Sequence, residues 1–218
     1  MSNFEISSLR LVNPYEPSFR EARSAVGAAE LLASAREYTS LPEAIADCAL
    51  VVGTTAVHHR DLQHPVHRLE TAAGLIRERL NSGRVALLFG SEKTGLSNDD
   101  LSHRHWLLHI ATDREHLAMN LGQAVAVCLY ELTRNCEIET TTDLSRLSQE
   151  PARATAGELD RITKLWLESL RLSGYMKSGM ETASEKKLRR MLRRMDPSAE
   201  DAQVWLGMLR QIVWKLRH

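Results

Sequence analysis

Two short stretches carry the residue types on which chemistry could be built. The first is Leu88-Phe89-Gly90-Ser91-Glu92-Lys93-Thr94-Gly95-Leu96-Ser97-Asn98, in which an apolar run ends at Gly90, a single carboxylate follows, and Gly95 precedes a helix-starting Ser97-Asn98-Asp99-Asp100. Glycines at the carboxyl end of a buried strand let a backbone approach a ligand closely, and this is where open α/β sheets bind ligands. A tight strand-to-helix turn with no ligand would read the same way. Gly90 and Gly95 are too close together for a phosphate-binding loop, and no Gly-Lys-Ser/Thr follows. The second stretch is Leu117-Ala118-Met119-Asn120-Leu121-Gly122-Gln123, at the entry of a very apolar helix. Asn120 suits a helix N-cap or a polar group at a ligand site. A third strand end, Val52-Gly53-Thr54-Thr55-Ala56, adds two hydroxyls.

The elements that must hold these residues follow from the hydrophobic pattern. Runs at 9–12, 49–52, 85–89 and 106–110 are short, apolar and mostly closed by Gly or Pro, as buried parallel strands are. Helices are predicted at about 18–35, 41–48, 66–82 and 119–135, with Pro42 in a first turn and Gly83 at an end. Strands alternating with helices predict an α/β domain with a parallel sheet over 1–136. Residues 137–157, rich in Thr, Ser, Glu and Ala, read as a linker. Three helices at about 157–173, 184–195 and 198–217 then predict a small all-helical extension over 158–218, with Ser198 and Asp201 resembling a capping box.

Composition sets limits. The chain has 218 residues, 43% hydrophobic and 26% charged, which suits a globular protein. No run approaches a membrane span and no secretory signal opens the chain, and three scattered cysteines do not make a disulfide framework. The expectation is a soluble, cytoplasmic protein. Lys+Arg and Asp+Glu both number 28, but residues 150–218 hold 14 basic against 9 acidic side chains. A neutral protein can thus show a basic face to a polyanion. The densest run is Lys186, Lys187, Arg189, Arg190, Arg193 and Arg194, interleaved with Leu188, Met191, Leu192 and Met195. One face of that helix packs, and the other suits phosphate contact or simple solvation. His58, His59, His64 and His67 cluster, but without a carboxylate or cysteine at recurring spacing no metal is expected. Trp166, Trp205 and Trp214 are expected in the core or a dimer interface.

Three stretches in this order, 52–56, 88–98 and 119–125, resemble the SpoU-type RNA ribose 2′-O-methyltransferases of the SPOUT class, most closely the TrmJ-like tRNA enzymes. Leu11-Val12-Asn13-Pro14 also resembles the family's second strand. The resemblance covers about 1–136 and implies a homodimer whose C-terminal chain threads a trefoil knot. It implies S-adenosyl-L-methionine bound at three strand-end loops: Thr54, Thr55 and Ala56; Gly90; and Ile110 with Leu117, Ala118 and Met119. Glu92 and Asn120 match the polar residues at the family's reactive centre. Arg60 and the six basic residues at 186–194 are then the expected RNA contacts, and the RNA is expected to be tRNA, methylated on a ribose of the anticodon loop. Ribosomal RNA would leave the chemistry unchanged. The family's first motif, an Asn-Ile-Gly-like turn followed by an arginine, has no match upstream of Leu9. Ala118 stands where the family carries Ser, and Val57 where it carries the first arginine after Thr-Thr-Ala. Cofactor binding is therefore expected more firmly than catalysis, with a catalytically silent RNA-binding homodimer as the alternative.

Overall fold

Seven residues, Cys48–Thr54, form a strand buried on both faces up to Gly53, and this strand (β3) organises the molecule. A strand so apolar has to lie in the middle of a parallel sheet covered by helices. In the computed structural model, which describes residues 1–14, 29–55, 65–113, 119–134, 151–176 and 179–218, it lies between β5 (Arg84–Leu88) and β6 (Trp106–His109). The sheet is parallel with order β4-β6-β3-β5, with β4 (Val66–Arg68) at one edge and β5 at the other. A second, two-stranded parallel sheet pairs β1 (Arg10–Val12) with β2 (Arg36–Tyr38). It is tied to the main body by Arg10, which donates to Asp47 and to the Ala44 carbonyl.

Helices cover both faces of the main sheet. Leu50, Val52 and Leu108 meet Leu69, Ala72 and Ile76 of α3 (Leu69–Ser82) and Cys128 of α4 (Leu121–Thr133). Cys48, Val51 and Leu107 meet Ile45 and Ala156 on the other face. Cys48 and Val51, three apart, share a face because the register against β5 shifts between Cys48 and Leu50. The short helices α1 (Ala29–Ala33) and α2 (Leu41–Ala44) precede β3. The extension is three helices, α5 (Ala156–Leu172), α6 (Glu181–Met195) and α7 (Ala199–Arg217), around Leu159, Ile162, Leu192 and Leu206. No described helix is long and apolar enough to cross a membrane.

Several expectations are corrected. Residues 66–68, expected within a helix, form β4: Val66, His67 and Arg68 pair with Leu107, Leu108 and His109, and backbone pairing outweighs a pattern too short to show a period. β2 went unmarked for the same reason. The end of the expected linker is packed structure. Ala154 donates to the Pro197 carbonyl, Gly157 donates to that of Ala46, and Thr155 caps α5 in a reciprocal capping box with Glu158. At Ser198 only half of a box forms: its hydroxyl accepts from the Asp201 amide and donates to the Asp201 carboxylate. Trp166 and Trp205 pack on the helical core, whereas Trp214 is exposed and stacks on His218. The segment between β6 and α4, which would have to thread the expected knot, includes 114–118, outside the described residues.

Candidate functional site

Hydrogen bonds gather the carboxyl ends of three adjacent strands, β5, β3 and β6. Thr54 Oγ1 donates to the Leu88 carbonyl at the end of β5 (2.8 Å), and the Thr55 amide donates to that of Leu108 near the end of β6 (3.1 Å). Ile110 and Phe89, the residues just beyond β6 and β5, pack against the core beneath. The site therefore stands on the most buried part of the sheet. Of the expected cofactor residues, Thr54, Thr55, Gly90 and Ile110 come together here, and Met119 lies half-buried beside Asn120. Ala56, Leu117 and Ala118 lie outside the described residues, as do Arg60, His58, His59 and His64.

The loop after β5 is closed on itself. Ser91 and Gly95 form a bridge, the Gly95 amide donates to the Ser91 carbonyl (2.8 Å), and the Ser91 and Thr94 hydroxyls bond at 2.7 Å. Gly95 takes φ +66, the left-handed region that glycine enters without steric cost. A Cβ on Gly90 would sit 2.0 Å from the Gly95 carbonyl carbon. The space that this glycine opens is thus filled by the loop's own peptide, not left to a ligand. Any ligand contact at Gly90 has to run through its peptide groups.

This closure presents Glu92 to Asn120. Asn120 Nδ2 donates to Glu92 Oε1 (3.0 Å), while Asn120 Oδ1 accepts from the amides of Gly122 (2.8 Å) and Gln123 (3.4 Å). The two readings of Asn120, cap and site residue, are one arrangement: its oxygen starts α4 and its nitrogen holds the carboxylate. A carboxylate so held, exposed at the strand ends, can accept a hydrogen bond or a proton from a hydroxyl brought beside it.

The SpoU rRNA Methylase family model matches residues 1–130 of this chain. The chain belongs to the SpoU rRNA methylase family. It is 30% identical over 214 residues to the tRNA (cytidine/uridine-2'-O-)-methyltransferase TrmJ of Citrobacter koseri, covering 97% of this chain and 87% of that protein. The TrmJ of Sodalis glossinidius is 29% identical over 213 residues, with 97% and 83% covered. The crystal structure of TrmJ from Z. mobilis ZM4 superposes with a TM-score of 0.82 at 30% identity, over 97% of this chain and 89% of that one. A methylase family protein from Haemophilus influenzae Rd KW20 shares the fold at a TM-score of 0.60 and 24% identity. The resemblance read from the three motifs is borne out, and the match to TrmJ extends through the helical extension.

On this SpoU methylase scaffold the basic helix α6 divides into two stripes. Lys187 and Arg194 are exposed and Arg190 half-buried. Lys186, Arg189 and Arg193 turn inward. Arg193 is closed off from solvent, donating to Asp160 Oδ1 (3.0 Å) and to the Ala156 carbonyl (3.2 Å). Arg189 Nη1 donates to Ser102 Oγ (2.8 Å), Nη2 bonds Glu185, and Nε lies 3.9 Å from Asp160. Lys186 pairs with Asp99 at 3.2 Å. Arg193 is corrected as an RNA contact, because a buried guanidinium spent on a carboxylate cannot reach a phosphate. Burial pushes its pKa down and Asp160 opposes the shift.

The family's motifs gave no sign of this seam. Ser102 and His103 belong to the short 3-10 helix Asp100–His103, and both are buried. His103 Nδ1 lies 3.9 Å from Asp160, and burial, reinforced by Arg189, lowers its pKa to about 4. A second clamp joins Arg79 of α3 to Asp196, the left-handed residue that ends α6, which also receives Arg153. Among the described residues no group of three His, Cys, Asp or Glu side chains could hold a metal; His67 lies in β4 with its ring 5.2 Å from that of Trp106. Cys48 and Cys128 are buried thiols whose pKa burial pushes up to about 11.

Proposed function

We propose that this SpoU methylase transfers a methyl group from S-adenosyl-L-methionine to a ribose 2′-hydroxyl of tRNA, in the anticodon loop, acting as a homodimer in the cytoplasm. The observation that carries the reading is the Asn120–Glu92 contact at the gathered strand ends, in a chain aligned over 97% of its length with tRNA 2′-O-methyltransferases.

The cofactor fits the residues present. Thr54, Thr55, Gly90, Ile110 and Met119 offer peptide groups, hydroxyls and apolar walls with no charged cradle, the surroundings an uncharged purine prefers. When bound, S-adenosyl-L-methionine would supply an electrophilic methyl on a sulfonium, whose carbon–sulfur bond breaks to leave the neutral thioether. Glu92, fixed at one oxygen by Asn120, accepts the ribose hydroxyl at the other and aligns it for attack. It takes up or shares the proton that the oxygen loses as its bond to the methyl carbon forms. Alignment is the larger contribution, because in-line methyl transfer between positioned groups needs little covalent help.

Dimerisation is supported by α4. Its sequence is almost wholly apolar, yet Cys128 and Leu129 are its buried residues, with Val127 38% and Tyr130 56% exposed. An apolar helix left open on a sheet marks an interface. In this reading 1–136 is the methyltransferase domain and 158–218 the RNA-binding extension, with Lys187, Arg190 and Arg194, together with Arg60, meeting phosphates.

The test is transfer of labelled methyl from the cofactor into tRNA, with ribosomal RNA as comparator and the product mapped by alkali resistance of the methylated linkage. Labelled tRNA, lost in Glu92→Gln, supports the proposal. A folded chain that binds tRNA and transfers nothing would replace it with a silent RNA-binding role.

A further inference from the structure

The inward stripe of α6 is largely spent on contacts within the protein, and what Arg189 touches is the far end of the reactive loop. Arg189 is 11% exposed. Its guanidinium is engaged by Ser102, Glu185 and Asp160, with Asp99 Oδ1 3.9 Å from Nη1. Ser102 is fully buried: its hydroxyl donates to the Asp99 carbonyl (2.7 Å) and accepts from Arg189. The turn that bears Ser102 is joined to the loop by reciprocal bonds. The Leu101 amide donates to the Ser97 carbonyl (2.9 Å), the Ser97 amide to Asp100 Oδ2 (2.8 Å), and the Asp100 amide to Ser97 Oγ (3.1 Å). Leu96 and Leu101 are buried in the same core. From Gly95, closed onto Ser91, to Ser102, held by Arg189, the chain is one hydrogen-bonded unit, and Glu92 rides on it.

We propose that Arg189 is a positioning residue for methyl transfer: through Ser102 it fixes the 3-10 helix Asp100–His103 against α6, and thereby sets the loop that carries Glu92. The proposal rests on the methyltransferase reading and removes Arg189 from the RNA contacts. Glu92 is exposed and its one side-chain anchor among the described residues is Asn120. A loop so lightly held at its tip depends on where its ends are fixed. One end is β5; the other is the turn that Arg189 grips. A rigid guanidinium fork reaches Ser102, Glu185 and Asp160 together, which a lysine ammonium on a flexible stem cannot do. A displacement of about 1 Å in an aligned group is enough to cost up to about a hundredfold in rate. The extension is therefore more than an RNA handle: its docking sets the geometry of the site in the other domain.

The experiment compares Arg189→Ala, Arg189→Lys, Ser102→Ala and the exposed Lys187→Glu with the wild-type full chain. Methyl transfer is measured at saturating tRNA and cofactor, RNA affinity is measured against salt, and amide exchange over 91–98 is measured without ligands. Arg189→Ala is expected to lower kcat about tenfold or more, leave the slope of log affinity against log salt unchanged, and raise exchange over 91–98. Ser102→Ala, a small change that keeps the helix intact, shifts the same readouts the same way, and Arg189→Lys fails to restore kcat. Lys187→Glu shallows the salt slope by about 0.7 or more without altering exchange. A salt slope reduced in Arg189→Ala with kcat unchanged would make Arg189 a phosphate contact and overturn the proposal. Unchanged exchange over 91–98 in both Arg189→Ala and Ser102→Ala would overturn it too. An inactive wild type would defeat the methyltransferase reading instead, while exchange would still report whether Arg189 holds the loop.

Discussion

Arg193 of α6 and Asp160 of α5 meet at 3.0 Å with the guanidinium fully buried, in the seam where the helical extension rests on the α/β domain. The pair also lies beside Arg189 and His103, so Asp160 is the carboxylate to which both inward arginines of α6 turn. Two cations, one of them fully buried, around one half-buried anion is an arrangement in which losing the anion is far worse than losing either cation.

Asp160→Asn is therefore expected to destabilise the protein by about 3–5 kcal/mol, the usual cost of leaving a buried charge without its partner. Arg193→Met, which removes the charge and keeps much of the volume, is expected to cost clearly less. Urea unfolding of the two variants checks the order. Equal losses would mean that the pair acts through packing alone.

How far the sequence carried the description follows from what each element is buried against. β3, β5 and β6 were legible because each carries an unbroken apolar run long enough to be read as a strand. β2 and β4, three residues each, take their structure from the strands they pair with, β1 and β6, and hold too few residues to show a period. The Thr155-x-x-Glu158 box was present in the sequence but sat in a stretch whose Thr and Ala content read as linker. On α6 the amphipathic spacing did reveal a cationic face. It could not divide that face into Lys186, Arg189 and Arg193 facing inward and Lys187 and Arg194 facing out, because Asp160, Asp99 and Ser102, which decide it, are distant in the chain. Glu92 and Asn120 were found through their motifs. Their direct contact needed the fold, since 28 residues separate them.

Stability should fall as pH drops through the histidine range. The His103 pKa is about 4 in the folded chain and 6.5 as the ordinary value, so the unfolded chain binds the proton first. Stability is then complete above about 6.5, declines as pH falls toward 4, and loses nothing more from this group below that. At about 1.4 kcal/mol per pKa unit the full loss from this one group is on the order of 3.5 kcal/mol. His103→Gln should flatten the profile between pH 6.5 and 4, measured as the urea midpoint against pH. Asp47, whose carboxylate Arg10 holds well below its usual range, destabilises the fold only at more acid pH. A variant profile parallel to wild type in the upper window would assign the slope elsewhere.

The double duty of Asn120 can be separated by substitution. Asn120→Ser keeps an N-cap oxygen for the Gly122 and Gln123 amides and removes the donor to Glu92. It is expected to change stability by a few tenths of a kcal/mol while lowering kcat. Asn120→Ala removes both functions and should cost about 1 kcal/mol in addition. Thermal unfolding and methyl transfer on the same preparations read the two roles independently. If Asn120→Ser retained full kcat, the contact with Glu92 would be structural only.

Gly90 and Gly95 should fail for different reasons and to different degrees. At Gly95 the left-handed φ of +66 strains any L side chain, but a Cβ there meets nothing within 4 Å. Gly95→Ala is thus expected to cost about 1–2 kcal/mol, with the loop still able to close. At Gly90 a Cβ would fall 2.0 Å from the carbonyl carbon of Gly95 and 2.2 Å from the amide of Leu96. That collision is with backbone, which cannot swing aside as a side chain would. Gly90→Ala has to open the Ser91–Gly95 closure, moving Glu92 away from Asn120. It is expected to abolish methyl transfer and to expose the 91–98 amides to exchange, while Gly95→Ala keeps measurable activity. Similar activity in the two variants would show that the closure, and not merely the presence of two glycines, has no part in setting Glu92.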